Sequence, residues 1–161
     1  MDKINFKKLL LYISIILVIF LLDRISKLYV LSVLEEFGNV DIKINSFLNI
    51  ILVWNSGIGF GLLSFEKPLI YDFITFFIGI INVIILYLVF KSKDIRAYFF
   101  IIILGGSLGN LFDRVYYKAV PDFIDLNYND YHWFIFNIAD IFITIGIICL
   151  IFIELMNYKK G

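Results

Sequence analysis

Asp122 and Asp140 stand at either end of a short polar interval, each beside strongly apolar sequence. A carboxylate is costly in a bilayer, so a chain that keeps two of them there points to chemistry that needs a pair. Two Asp side chains within hydrogen-bond reach do not both ionise easily. They share a proton, one serving as base for a water while its partner polarises a carbonyl. Competing nucleophilic sets are weak. His132 is the sole histidine, and the sole cysteine, Cys149, falls inside an apolar run, where it reads as a small packing residue. A Ser/His/Asp set would have to recruit Ser46, Ser56 or Ser64 by coincidence. No metal-ligand spacing is present, and no cofactor is implied.

The elements that must position this pair follow from composition. Of 161 residues, 61% are hydrophobic and 19% aromatic, and the mean hydropathy is +0.94. No ordinary water-soluble domain of this size has such values, so the chain reads as an all-α integral membrane protein. Residues 1–161 read as one domain, without repeats or linkers. Fourteen Lys and Arg balance fourteen Asp and Glu, which removes the electrostatic case for binding nucleic acid. Hydropathy places four spans at 9–28, 69–90, 97–112 and 133–156, each near the ~20 residues that a ~30 Å hydrocarbon core requires. The third is short, and draws on neighbours such as Ile95 or Val115 or ends in a pocket. Lys3, Lys7 and Lys8 precede the first apolar run, no small-residue cleavage site follows it, and the span is read as retained.

Basic residues set the orientation. Lys3, Lys7 and Lys8, then Lys91, Lys93 and Arg96, then Lys159 and Lys160 all fall on one side, which places both termini in the cytoplasm and leaves residues 35–68 and 113–132 outside. Residues 41–54 alternate in places and are rich in β-branched side chains, predicting a small sheet on the membrane surface. Trp54, Tyr128, Tyr131 and Trp133 belong at the outer headgroups. Counting from Trp133 at 1.5 Å per residue puts Asp140 about 10 Å down the last span, at the outer edge of the hydrocarbon. Asn137, Asp140 and Thr144 then share a stripe, Asn110 and Asp113 are three apart, and Asp23 faces Lys27 at i, i+4. Such stripes must face protein or water. The Gly105 to Gly109 face lets a neighbouring helix come close.

Five ordered segments carry a resemblance. They are Asp23-Arg24-Ile25-Ser26-Lys27, Asn55-Ser56-Gly57-Ile58-Gly59-Phe60, the run from Gly105-Gly106 through Asn110 to Asp113-Arg114, Val120-Pro121-Asp122-Phe123, and Phe136-Asn137-Ile138-Ala139-Asp140. In this order the sequence resembles the lipoprotein signal peptidases, the type II signal peptidases of bacteria, over nearly its whole length. The resemblance implies a multi-pass aspartic endopeptidase of the bacterial inner membrane that removes signal peptides from diacylglyceryl-modified prolipoproteins, cutting before the lipid-bearing cysteine. It implies four transmembrane helices with a small extracytoplasmic β-cradle and a surface helix. It makes Asp122 and Asp140 the catalytic pair, and Asp23, Lys27, Asn55, Gly57, Gly106, Asn110, Asp113, Arg114, Asn137 and Ala139 the pocket that orients substrate and dyad. The partners expected are lipid-modified prolipoprotein signal peptides and membrane lipids, with the protein a monomer. Departures are small: Pro121 fixes the backbone before Asp122, Ser26 stands where Thr is common, and Gly59 where Ala is.

Plainer readings exist for several of these residues. Asp23 with Lys27 also reads as an interfacial ion pair, Asn55 with Gly57 as a turn, and Arg114 as an anchor that holds Asp113 or meets lipid phosphate. Asp125 reads as an ordinary turn residue. A proton- or cation-coupled transporter would place its acid near the midplane and favour repeated halves, whereas these acids gather at one face and the halves differ. A scaffold packing through Gly105 and Gly109 leaves the carboxylate pair without a purpose.

Overall fold

The computed structural model describes residues 5–57, 68–128 and 131–158. In chain order these form α1 (Phe6–Phe37), β1 (Asp41–Lys43), β2 (Leu48–Asn55), α2 (Pro68–Lys91), α3 (Arg96–Tyr117), β3 (Val120–Tyr128), β4 (Tyr131–Phe136) and α4 (Ile138–Tyr158). All four helices are long and apolar enough to cross a membrane, and their outward faces carry exposed Leu, Ile, Val and Phe, as lipid contact demands. Lys3, Ile58, Gly59, Phe60, Ser64, Lys159 and Lys160 lie outside the described residues. No separate surface helix stands among the described ones.

Helix α1 has 32 residues, about 48 Å at 1.5 Å per residue, well beyond the expected end at residue 28 and longer than the hydrocarbon core. Asn5 caps its start, its side chain accepting from the Lys7 N–H. Gly38 ends it at φ 73°, donating its N–H to the Leu34 carbonyl. That left-handed position is one glycine adopts at little cost. The last turns of α1 support the sheet: Val30, Val33 and Leu34 pack with Val40, Ile50, Leu52, Phe123, Ile124 and Ile138. At the other end of the bundle, Tyr12 packs on Val89, Ala97 and Ile101, and Arg96 reaches Glu154. The ends of α1, α2 and α3 that carry basic residues therefore lie together with the Glu154 end of α4, opposite the sheet.

The four strands are antiparallel in the order β1-β2-β3-β4, with α2 and α3 inserted between β2 and β3. The expected strand content of residues 41–54 is present, but β3 and β4 extend the sheet through sequence read as a polar interval and as the start of the last span. Residues 133–136 belong to β4, and α4 begins only at Ile138. Asp140 therefore sits in the first turn of α4, and Asn137 lies just ahead of the helix. Helix α3 runs on to Tyr117, so Asp113 is inside it. Each of the two ladders made by β3 carries one irregularity. Between Ile50 and Val53, β2 holds an extra residue against β3, beside Asp122. Between Leu126 and Asn127, the extra residue is on β4. Pro121 pairs only with Trp54 of β2, at the end of β3 that β4 does not reach, where a missing N–H costs no ladder bond.

Candidate active site

Helix α4 starts at a reciprocal cap. The Asn137 Oδ1 accepts from the Asp140 N–H at 3.1 Å, and the Asp140 Oδ2 accepts from the Asn137 N–H at 3.2 Å. This is a capping box with Asp at its third helical position. Asp23 of α1 closes a further open donor, accepting from the Ala139 N–H at 3.0 Å. The helix start that places Asp140 is thus fixed from two sides.

Asn137 also reaches the other carboxylate: its Nδ2 donates to Asp122 Oδ1 at 2.6 Å. The second oxygen of Asp122 accepts from Asn55 Nδ2 at 2.8 Å, and Asp140 Oδ1 accepts from Asn110 Nδ2 at 2.8 Å. Three asparagines therefore ring the two acids, and each amide orientation is decided by what its oxygen accepts. Asn137 Oδ1 takes the Asp140 N–H, Asn55 Oδ1 the Gly57 N–H at 2.9 Å, and Asn110 Oδ1 the Lys27 ammonium at 3.0 Å. Every Nδ2 is left pointing at a carboxylate. All these donors are neutral, so they hold the pair in place without the strong pull toward full ionisation that a cation would exert.

The cations stand one step back. Lys27, fully buried, gives its three N–H groups to Asp23 Oδ2 at 2.7 Å, Asp113 Oδ2 at 2.6 Å and Asn110. The other Asp113 oxygen takes Arg24 Nη1, whose guanidinium lies over the Phe112 and Tyr117 rings. Arg24 was legible only as a motif letter, yet it completes this network. Arg114 does not hold Asp113; its Nη2 donates to the Gly57 carbonyl at 2.6 Å, and its guanidinium lies over Tyr71. It thereby holds Gly57, whose N–H donates to the Asn55 amide oxygen. Burial pushes the Asp122 carboxyl up to about 7, and the charge of Asp140 adds to the rise, against the donors from Asn55 and Asn137.

Glycines let the helices approach closely enough for this. A Cβ on Gly106 would lie 2.5 Å from the Ala139 carbonyl oxygen of α4, and one on Gly109 would lie 2.6 Å from Asp23 Oδ2 of α1. Gly105 meets Ile19 of α1. The small-residue run thus serves two neighbours rather than one face. All twelve residues singled out from sequence (Asp122, Asp140, Asp23, Lys27, Asn55, Gly57, Gly106, Asn110, Asp113, Arg114, Asn137 and Ala139) lie in this connected cluster. A groove of about 250 Å³, lined by Phe134, Phe136, Asp140, Ile141, Thr144 and Ile145, opens beside Asp140 and is apolar apart from that carboxylate and Thr144. Among the described residues, no group of three His, Cys, Asp or Glu is placed to hold a metal ion.

Known proteins match this chain along nearly its whole length. The signal peptidase (SPase) II family model matches residues 15–156. The chain is 52% identical over 161 residues to the lipoprotein signal peptidase of Pelagibacter ubique (strain HTCC1062), covering 99% of this chain and 97% of that one. It is 39% identical over 155 residues to the lipoprotein signal peptidase of Anaplasma phagocytophilum (strain HZ), covering 96% and 97%. Among solved structures, a bacterial membrane enzyme determined by the in meso method at 2.3 Å aligns with a TM-score of 0.70 and 29% identity, over 93% of this chain and 90% of that one. A four-helix membrane fold with a small sheet, two acids tied by one asparagine and a family match over most of the sequence have one reading: the chain belongs to the signal peptidase II family of membrane peptidases.

Proposed function

We propose that Asp122 and Asp140 are the catalytic pair of this peptidase, and that its substrates are prolipoproteins whose cysteine already carries a diacylglyceryl group. The observation that carries the reading is Asn137, which donates to one carboxylate and caps against the other. One acid, deprotonated, removes a proton from water as the oxygen attacks the scissile carbonyl carbon. The other, protonated, donates to the carbonyl oxygen as it becomes an oxyanion. Collapse of the tetrahedral intermediate breaks the C–N bond, and the amine of the lipid-bearing cysteine leaves with a proton. With its carboxyl raised to about 7, Asp122 suits the role of acid.

Charge balance supports a singly protonated pair. Arg24 and Lys27 are taken up by Asp23 and Asp113, so no cation is paired directly with Asp122 or Asp140 to hold both ionised. The groove beside Asp140 suits a substrate that arrives from the bilayer with its lipid still in the membrane. Asp23, Lys27, Asn110 and Asp113 orient one side of the dyad, and Asn55, Gly57 and Arg114 the other. Gly106 and Ala139 allow the contact between α3 and α4. We place the protein in the bacterial inner membrane, with both termini cytoplasmic and the site near the outer face. The site is complete within one chain, in keeping with a monomer.

Purified protein incubated with a diacylglyceryl-modified precursor tests this. The wild type is expected to cleave before the modified cysteine, and Asp122→Asn and Asp140→Asn each to lose at least about a thousandfold in rate. Full cleavage by either variant removes that residue from the chemistry.

A further inference from the structure

Asp125 lies on β3, three positions beyond Asp122, and is fully buried without any cation of the site beside it. Its partners come from three strands. Asn49 of β2 and Asn127 of β3 donate to its Oδ2 at 3.3 and 3.2 Å. His132 of β4, half exposed, places Nδ1 2.9 Å from both carboxylate oxygens. Because a carboxylate only accepts, the His132 proton facing it is on Nδ1.

The sheet register explains how these groups meet. Asp125 pairs with Ile135 and Leu126 with Phe134, but Asn127 pairs with His132, so Trp133 is the extra residue. Three positions apart on one strand, Ile135 and His132 would ordinarily face opposite sides of the sheet. The bulge at Trp133 brings both to the side of Asp125. Beyond the same ladder, β4 runs into Asn137, whose amide holds Asp122 and whose cap sets Asp140. A slip of one residue would move Asn137 about 3.4 Å along β3 and break that arrangement.

We propose that Asp125 and His132 form a clasp that ties β3 to β4 across the Trp133 bulge and so act as positioning residues for the Asp122–Asp140 pair. With Asp125 held opposite Ile135, the clasp closes only when Trp133 bulges, because only then does His132 reach the Asp125 side. It rests on the reading of Asp122 and Asp140 as the dyad, and it acts at a distance through the strand that carries Asn137.

The test works in a Cys149→Ser background with the full-length protein in detergent or vesicles. Asp125→Leu and His132→Gln are each expected to lower kcat by at least about tenfold with KM within about twofold, the pattern of a misplaced dyad with intact substrate binding. Asp125→Asn, which keeps the volume, serves should the leucine variant fail to fold, with the same split expected. A disulfide between Cys introduced at the paired positions Asn127 and His132 replaces the clasp covalently. In Asp125→Leu it is expected to restore at least about half of the lost rate, and reduction with dithiothreitol to remove it again. Wild-type kcat in both single variants, or a loss that the closed disulfide does not repair, overturns the proposal. The yield of that disulfide, compared with and without Asp125→Leu, reads the register whatever the chemistry is, and equal yields also overturn it. Failure of the dyad reading shows separately, as cleavage by Asp122→Asn.

Discussion

Asn137 joins what the sequence could only juxtapose. Three of its polar groups are spent on Asp122 and on the backbone and side chain of Asp140, so Asn137→Ala removes a donor to one acid and the cap of the helix carrying the other. A loss of about 1 kcal/mol in stability is expected from the cap. A far larger loss is expected in kcat, and kinetics beside thermal unfolding would separate the two. Asp122 adds a dependence on pH. Its carboxyl is raised from an ordinary 3.8 to about 7, chiefly by burial. Above about pH 4 the unfolded chain has released this proton while the folded chain keeps it, so stability falls as pH rises until about pH 7. Melting temperatures between those values should decline in the wild type and decline less in Asp122→Asn. Activity should fall on the alkaline side as the same proton is lost. An equal decline in both proteins would take the proton away from Asp122.

Hydropathy and spacing found the helices because runs such as 69–90 are long and almost wholly apolar, and they found β2 because residues 41–54 alternate in places. They missed β4 because Trp133–Phe136 is as apolar as a helix start, and only tertiary pairing with β3 makes it a strand. They missed the role of Asp125 for a related reason: burial of a loop-like Asp depends on partners in other strands. The acids of the site were legible as costly residues at a membrane edge, whereas the amide orientations around them depend on hydrogen bonds that no linear spacing encodes. Glycines in the helices separate packing from propensity. Gly79 has open space where a Cβ would go, so Gly79→Ala should be neutral or stabilise by up to about 1 kcal/mol. Gly106→Ala places a methyl 2.5 Å from the Ala139 carbonyl, backbone that has little room to retreat. A loss of about 1–3 kcal/mol and a marked drop in cleavage are expected. Similar melting temperatures and rates for the two variants would contradict the close approach of α3 to α4.

At the scale of the whole molecule, the charges and the apolar surface together decide how the chain sits in its membrane. Inside, the two cations and two acids behind Asp122 and Asp140 cancel, and Lys27 alone joins Asp23, Asp113 and Asn110. Lys27→Met would leave two buried carboxylates facing one another, at a cost of about 3–5 kcal/mol. Outside, basic residues collect at the end of the bundle opposite the sheet, where Lys91 ends α2 and Arg96 begins α3. Cytoplasmic loops hold such residues, and the aromatic rim of the sheet, with Tyr131 and Trp133 more than three-fifths exposed, suits the opposite headgroups. Single cysteines in a Cys149→Ser background test this directly. In right-side-out vesicles, a membrane-impermeant maleimide should label Tyr131→Cys at once and Lys91→Cys only after the membrane is opened. Inside-out vesicles should reverse the pattern. Labelling of both positions from one side would contradict a bundle that crosses the bilayer between them, and the reverse pattern in right-side-out vesicles would put Asp122 and Asp140 at the cytoplasmic face, where the proposed cleavage of a secreted precursor would have to come before it crosses.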